Sequence, residues 1–87
     1  MIIVLDVSAS IEILFQREKA DRFKSVYNQG SWIIAPDLFI AEITNALWKY
    51  YKAGLIAYKD CIQYVQDGID MIDDFPDAKA LWKEALA

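Results

Sequence analysis

The sequence predicts an α/β domain with a parallel sheet, and two observations lead to this class. Residues 2–5 form a continuous apolar run rich in β-branched side chains, and residues 32–35 form a second such run. Runs of this kind are typical of strands that are buried on both faces of a sheet. Segments with helical spacing lie between and after the two runs. The order strand, helices, strand, helices is typical of parallel sheets flanked by helices.

The segment between the strands predicts two short helices. Residues 10–16 carry Ile11, Leu14 and Phe15 at helical spacing, and the polar residues before them supply N-cap candidates. Residues 19–28 have a similar pattern and are followed by Gly30, a residue typical of the position just beyond a helix.

Two longer helices follow the second strand. Pro36 ends that strand, Asp37 is the predicted N-cap of a helix over residues 38–53, and Gly54 takes the C′ position. A further helix over residues 58–71 places its apolar side chains on one stripe, which predicts one buried face. The stripe consists of Tyr58, Cys61, Ile62, Val65, Ile69 and Ile72.

The C-terminal part predicts an incomplete domain. Residues 71–75 are a weak candidate for a third strand, Asp73 and Asp74 are interpreted as turn residues, and Asp77 is interpreted as the N-cap of a last helix through residues 81–86. A stable sheet normally needs about three strands. The last helix reaches Ala87 in mid-pattern, so residues 1–87 are predicted to be a domain that lacks its C-terminal part.

Composition excludes several classes of chemistry. The chain contains no histidine and a single cysteine, Cys61, which excludes histidine-based nucleophilic catalysis, cysteine-rich zinc sites and an intramolecular disulfide. The net charge of −4 argues against broad, unaided binding to nucleic acid. No apolar run reaches the roughly 18 residues that span a bilayer, and the N-terminus lacks the basic segment of a signal peptide. A cytoplasmic location without membrane contact is therefore expected.

Asp6 and Ser8 are the first candidate site residues. Asp6 directly follows the first predicted strand, and ligands of α/β sheets bind at the carboxyl ends of the strands. Ser8 could orient this carboxylate or a metal-bound water. The alternative is that Asp6 or Ser8 only caps the first helix.

Glu42 is the second candidate. On a helical wheel Glu42, Asn45, Lys49 and Lys52 fall within an arc of about 80°, and most other residues of this helix are apolar. The pattern predicts a largely buried helix with one narrow polar stripe. Lys49 and Lys52 could contact phosphates. The alternative is an ordinary solvated face on which the lysines serve only solubility.

The two carboxylates together predict a metal site. Parallel strands place their carboxyl ends at one edge of the sheet, so Asp6 and Glu42 are expected to converge there. Without histidine or cysteine ligands, such a site suits a hard cation, Mg²⁺ or Mn²⁺.

Two motifs resemble the PIN-domain family of ribonucleases, in particular toxins of the VapC type. Residues 3–8 (IVLDVS) are similar to the opening of these domains, where a hydrophobic strand is followed by Asp, a further residue and Ser or Thr. Residues 35–47 (APDLFIAEITNAL) are similar to the second family motif, with a proline after the strand, then Glu42 and then Asn45. The spacing of Asp6 and Glu42 is also similar to that of the family.

The resemblance implies a three-layer fold and a metal-dependent endoribonuclease from a toxin–antitoxin pair. Asp6 and Glu42 would be the catalytic metal ligands for Mg²⁺ or Mn²⁺, and Ser8 and Asn45 would support them. RNA would be the substrate, a cognate antitoxin would cover the helical face, and the toxin would form a homodimer. A dimer would also bury part of the twelve aromatic side chains.

The chain departs from the family beyond these motifs. The third and fourth acids of the family follow a later strand, and Asp77 comes too early to be one of them. Weak or absent nuclease activity is therefore expected of these 87 residues. Two alternatives remain open at this point: an inactive remnant that binds antitoxin or dimerises through its sheet edge, and a plain helical scaffold.

Overall fold

A computed structural model describes residues 1–77 and 79 of the chain. Their elements run in the order strand, two helices, strand, two helices, which confirms the mixed α/β class. The elements are β1 (Ile2–Val4), α1 (Val7–Leu14), α2 (Ala20–Gln29), β2 (Trp32–Ile34), α3 (Phe39–Lys52) and α4 (Tyr58–Asp70).

The two strands form a parallel pair. Ile2 lies opposite Trp32 and Val4 lies opposite Ile34, so the two strands end at the same edge. The predicted weak third strand is reduced to one parallel bridge between Ile34 and Asp74, on the other side of β2. Strand β2 therefore has hydrogen-bonded neighbours on both sides, and its last two side chains are buried.

Helices α3 and α4 pack against each other and carry much of the core. Phe39, Ile43 and Leu47 are buried on one face of α3. On α4, Gly68 permits a close approach, since an added Cβ there would collide with the end of the Ile43 side chain. Cys61 is the second buried residue of α4.

The prediction that α3 is largely buried was wrong. Ile40 and Trp48 lie outside its buried face and are 41% and 45% exposed. On α4, Tyr58 and Ile62 of the predicted buried stripe are likewise exposed. The apolar pattern was correct, but among the described residues each helix has neighbours on one side only, so part of each stripe meets solvent.

The helix ends follow local chemistry. Gly54 has φ 76°, and the N–H groups of Gly54 and Leu55 donate to the carbonyls of Tyr51 and Tyr50. This is the paired hydrogen-bond pattern of a Schellman C-terminus, and it confirms Gly54 in the C′ position.

Two predicted helix starts were wrong. The N-cap position of α3 is Leu38 and not Asp37, because a turn closed by the Phe39 N–H and the Pro36 carbonyl precedes the helix. Helix α1 begins at Val7, three residues earlier than predicted, because Asp6 caps it.

The predicted last helix lies mostly outside the described residues. The Asp77 carboxylate accepts a hydrogen bond from the Lys79 N–H at 3.1 Å, as an N-cap residue does. Among residues 1–77 and 79, no helix has both the length and the apolar character needed to cross a membrane.

Candidate functional site

The carboxyl edge of the two-stranded sheet positions both candidate carboxylates. Beyond the last strand pair, the Leu5 N–H donates to the Ile34 carbonyl at 2.9 Å, so the chains stay aligned until the residue before Asp6. From this edge the first chain turns into α1 at Asp6. The second passes through Pro36 into α3, whose first turn contains Glu42. Each carboxylate thus belongs to the start of a helix that leaves the same sheet edge.

Asp6 is an exposed N-cap residue. Its backbone is extended, with φ −95° and ψ 168°, and its Oδ1 accepts a hydrogen bond from the Ala9 N–H at 2.8 Å. The Asp6 carbonyl also accepts hydrogen bonds from the Ser10 N–H and the Ser10 hydroxyl. The capping interpretation is therefore confirmed. A ligand role remains compatible with it, because the cap uses Oδ1 and no described residue donates to Oδ2.

Glu42 is exposed and lies one turn into α3. Its N–H donates to the Leu38 carbonyl, and its carboxylate forms no hydrogen bond or ion pair with the residues that the structure describes. A carboxylate in the first turn interacts favourably with the helix dipole. The side chain is held only by its backbone position and is open to a ligand.

The two predicted supporting residues line different surfaces. Ser8 is exposed in the first turn of α1 and lines a cavity of about 300 Å³ that also contacts Arg17 and Lys19. Asn45 is exposed on α3 and lines a cleft of about 530 Å³ between α3 and α4, beside Trp48 and Tyr58. Ser8 therefore belongs to the Asp6 end of the site, whereas Asn45 faces the interhelical cleft.

The two predicted phosphate contacts also differ in their surroundings. Lys49 lines a cavity of about 390 Å³ with Ile11, Tyr50 and Leu55. The Lys52 ammonium lies 5.6 Å from the centre of the Trp48 ring, a cation–π distance. Lys49 is thus directed toward α1, and Lys52 packs on an aromatic ring at the opposite end of α3 from Glu42.

The donor set fits a hard divalent cation that keeps most of its waters. Mg²⁺ is commonly held by one or two protein carboxylates together with water and substrate phosphates. Asp6 and Glu42 could supply those carboxylates. Within residues 1–77 and 79, no group of three or more Asp, Glu, His or Cys residues could hold a metal ion.

Comparison with known proteins provides no family for this chain. No protein-family model matches it, and no curated protein matches its sequence significantly. The resemblance to PIN domains therefore rests on the two motifs and on the order of the elements.

Sequence reasoning missed two groups of residues. The Asp73 carboxylate accepts a hydrogen bond from the Ile33 N–H at 2.7 Å and so helps to hold the segment after α4 against β2. Arg17 contacts the rings of Phe15 and Tyr50 beside the cavity that Ser8 lines. The signal that could have drawn attention to Arg17 is the high density of cations between residues 17 and 24.

Proposed function

We propose that this chain is a metal-dependent endoribonuclease of the PIN type, the toxin of a toxin–antitoxin pair. One observation carries the proposal: two exposed carboxylates, Asp6 and Glu42, begin helices at the same edge of a parallel sheet. The two motifs around these residues and the order of the elements add support. The proposal includes a three-layer PIN-like fold and a cytoplasmic location.

The chain's own contribution to the reaction is to hold acidic oxygens in place. The Ala9 N–H fixes one oxygen of Asp6, which limits rotation of the carboxylate and leaves the second oxygen for a ligand. Glu42 would supply the other acidic oxygen, and the Ser8 hydroxyl would hold a water molecule near Asp6. When bound, Mg²⁺ or Mn²⁺ provides an activated water at neutral pH and stabilises the charge that develops on the phosphodiester.

The experiment is Mn²⁺-dependent cleavage of a single-stranded RNA by the purified chain and by three variants. Asp6→Asn and Glu42→Gln remove one charge each while conserving side-chain shape, and asparagine remains a good N-cap. Asp37→Asn is the matched control, because Asp37 is an exposed acid between β2 and α3 that the proposal does not use.

Cleavage that is lost in D6N and E42Q but retained in D37N would support the proposal. Equal cleavage by all four proteins, or none by the unmodified chain, would contradict it. Since the proposal uses two acids, Asp6 and Glu42, we expect a low rate that depends steeply on Mn²⁺ concentration.

A second candidate function is a binding module without nuclease activity. It is favoured by the cleft between α3 and α4, which is lined mostly by apolar side chains and has Trp48, Tyr58 and Ile62 exposed at its walls. An amphipathic segment of a cognate antitoxin, or a second copy of the chain in a homodimer, would bury these side chains.

The two functions are separable by one substitution in the cleft. Ile62→Lys places a charge among the apolar side chains and should abolish binding of an antitoxin peptide or shift a dimer to monomer in light scattering. Nuclease activity should survive this change, since neither Asp6 nor Glu42 lines the cleft. If I62K alters neither association nor peptide binding, the binding-module function is contradicted.

A further inference from the structure

The cavity beside Ser8 lies where α1, α2 and α3 meet and has a volume of about 300 Å³. It begins at the first turn of α1, two residues from Asp6, and so adjoins the proposed catalytic edge. Its polar and aromatic walls are provided by Ser8, Glu12, Arg17, Lys19, Phe23 and Tyr50.

Arg17 is held in this cavity by the end of α1. Gln16 has φ 51°, and the N–H groups of Gln16 and Arg17 donate to the carbonyls of Ile13 and Glu12, so α1 ends in a Schellman motif without glycine. A left-handed backbone costs a residue with a Cβ roughly 1–2 kcal/mol. Gln16 adopts this strained conformation directly before Arg17, where the chain turns at the end of α1.

The Arg17 guanidinium is also fixed by aromatic neighbours. Its central carbon lies 5.0 Å from the centre of the Phe15 ring and 5.2 Å from that of Tyr50, and one of its nitrogens donates to the Tyr50 hydroxyl. The ion pair with Glu12 is long, at 3.8 Å. A guanidinium positioned by rings loses little freedom when it binds an anion, and its planar fork suits phosphate oxygens.

The charge of the cavity differs in sign from that of the chain. Arg17 and Lys19 against Glu12 give the cavity a net charge of +1, whereas the chain carries −4. Residues 60–77, by contrast, contain six Asp and no Lys or Arg. A polyanion is therefore favoured at this cavity over α4 and the segment that follows it.

The cavity continues along α3. Tyr50 also lines the cavity that contains Lys49 and a third cavity of about 330 Å³ beside Arg17 and Tyr64. Cations and aromatic rings thus both line these three cavities, the first of which includes Ser8. Binding sites for single-stranded nucleic acid combine these two features.

We propose that the Arg17–Lys19 cavity is an RNA backbone subsite, in which both cations bind a phosphate next to the scissile one. The inference rests on the proposed function and adds the position of the substrate. RNA would enter along Tyr50 and reach the carboxylates past Ser8.

The test is the affinity for a fluorescently labelled single-stranded RNA, measured in EDTA so that no cleavage occurs. Lys19→Ala and Arg17→Gln are compared with the unmodified chain and with Lys59→Ala, an equivalent charge loss at an exposed position of α4. We expect about five- to tenfold weaker binding for K19A and R17Q and no change for K59A. In K19A the slope of log affinity against log salt should fall by about 0.7, the value for one phosphate contact to a single strand.

Thermal unfolding of R17Q shows whether this variant still folds, which must be checked because Arg17 contacts two aromatic rings. K19A has no such ambiguity, since the Lys19 side chain forms no hydrogen bond or ion pair with any described residue. A poly-glutamate peptide of equal charge serves as a competitor. Equal displacement by this peptide would identify a general anion or acidic-protein site and overturn the RNA subsite.

The failure of this inference differs from the failure of the proposed function. If the unmodified chain cleaves RNA with Mn²⁺ but K19A and R17Q bind and cleave as it does, the subsite is wrong and the nuclease stands. If RNA binding depends on both cations but no protein cleaves, the nuclease is wrong, and the cavity stands only as an RNA backbone site without a neighbouring scissile phosphate. RNA affinity that is undetectable in the unmodified chain, or equally reduced in K59A, overturns the subsite.

Discussion

The Oδ1 atom of Asp6 accepts a hydrogen bond from the Ala9 N–H at 2.8 Å, so the carboxylate of a residue at the edge of the sheet caps the first helix. This capping role and the proposed role as a metal ligand can be separated, because an N-cap needs only a hydrogen-bond acceptor whereas a metal ligand also needs the charge. Loss of an N-cap acceptor typically costs about 1 kcal/mol.

We therefore expect Asp6→Asn to lose RNA cleavage with little change in stability. Asp6→Ala should lose cleavage and also about 1 kcal/mol of unfolding free energy. Urea denaturation and the cleavage assay on the same preparations measure the two effects. Equal stability of the D6N and D6A variants would show that the cap contributes nothing to the fold.

Asp73 should contribute more to the stability of the fold than the adjacent Asp74. Its carboxylate accepts from the N–H of the buried residue Ile33, so Asp73→Ala leaves a donor without its partner, at a cost of roughly 1–3 kcal/mol. Asp73→Asn keeps an acceptor and should cost less. Asp74→Ala is the control, because the one hydrogen bond that the Asp74 carboxylate accepts from the described residues comes from the exposed Phe75 N–H. Urea midpoints in the order D74A, D73N, D73A from high to low would confirm this.

Gly68 should be intolerant of a side chain despite its helical position. Alanine in place of a helical glycine normally gains about 0.5–1 kcal/mol. Here the new Cβ would collide with the end of the Ile43 side chain, which is fully buried and has little room to move. Overpacking of this kind typically costs about 1–3 kcal/mol, so we expect net destabilisation of G68A.

Ile43→Val removes the colliding methyl group and provides the matched test. Alone it should cost about 1 kcal/mol. In the G68A background it should cost nothing or restore stability, and a double-mutant cycle by urea denaturation measures this coupling. Additive effects of the two substitutions would mean that the helices can separate to admit the methyl group.

Tyr27 should make the stability depend on pH in the alkaline range. Burial, and to a smaller extent the nearby Asp73 carboxylate, raise the pKa of the Tyr27 hydroxyl above its ordinary value of 10.0. Below about pH 10 the Tyr27 hydroxyl is protonated in both the folded and the unfolded state, and its contribution to the free energy of unfolding is complete. As the pH rises further, Tyr27 ionises first in the unfolded chain. The stability that Tyr27 contributes is therefore lost as the pH rises through the pKa of the folded state.

Tyr27→Phe should therefore flatten the alkaline part of the stability curve measured in urea between pH 8 and 11. The variant should also lose roughly 0.5–1.5 kcal/mol at neutral pH, because the Tyr27 hydroxyl donates to the Met71 carbonyl at 2.8 Å. Tyr58→Phe, on the exposed side of α4, serves as the control. An unchanged alkaline slope in Y27F would assign the pH dependence to other groups.

Elements encoded by neighbouring residues could be predicted from the sequence. The apolar runs identified both strands, and Pro36 and Gly54 marked boundaries around α3 because each restricts or frees the backbone where it stands. The order of strands and helices then indicated a parallel pair, and with it the common edge of Asp6 and Glu42.

Features that depend on distant partners could not be predicted. A helical wheel separates apolar from polar side chains, but it does not show how many neighbours cover the apolar ones, so Ile40 and Trp48 were expected to be buried. Asp73 and Ile33 are separated by 40 residues, and Arg17 and Tyr50 by 33. No local sequence pattern indicates either pair.

The parallel pairing of β1 and β2 also predicts an order of events in folding. Their pairing brings together residues 30 positions apart, as in Ile2 with Trp32, whereas a short turn at Gly54 joins α3 to α4. The entropy of loop closure rises with the length of the loop, and contacts distant in sequence form slowly. The α3–α4 hairpin should therefore form before the strands meet, with higher φ-values in α3 than in β1. The edge that carries both carboxylates would then be completed only at the end of folding.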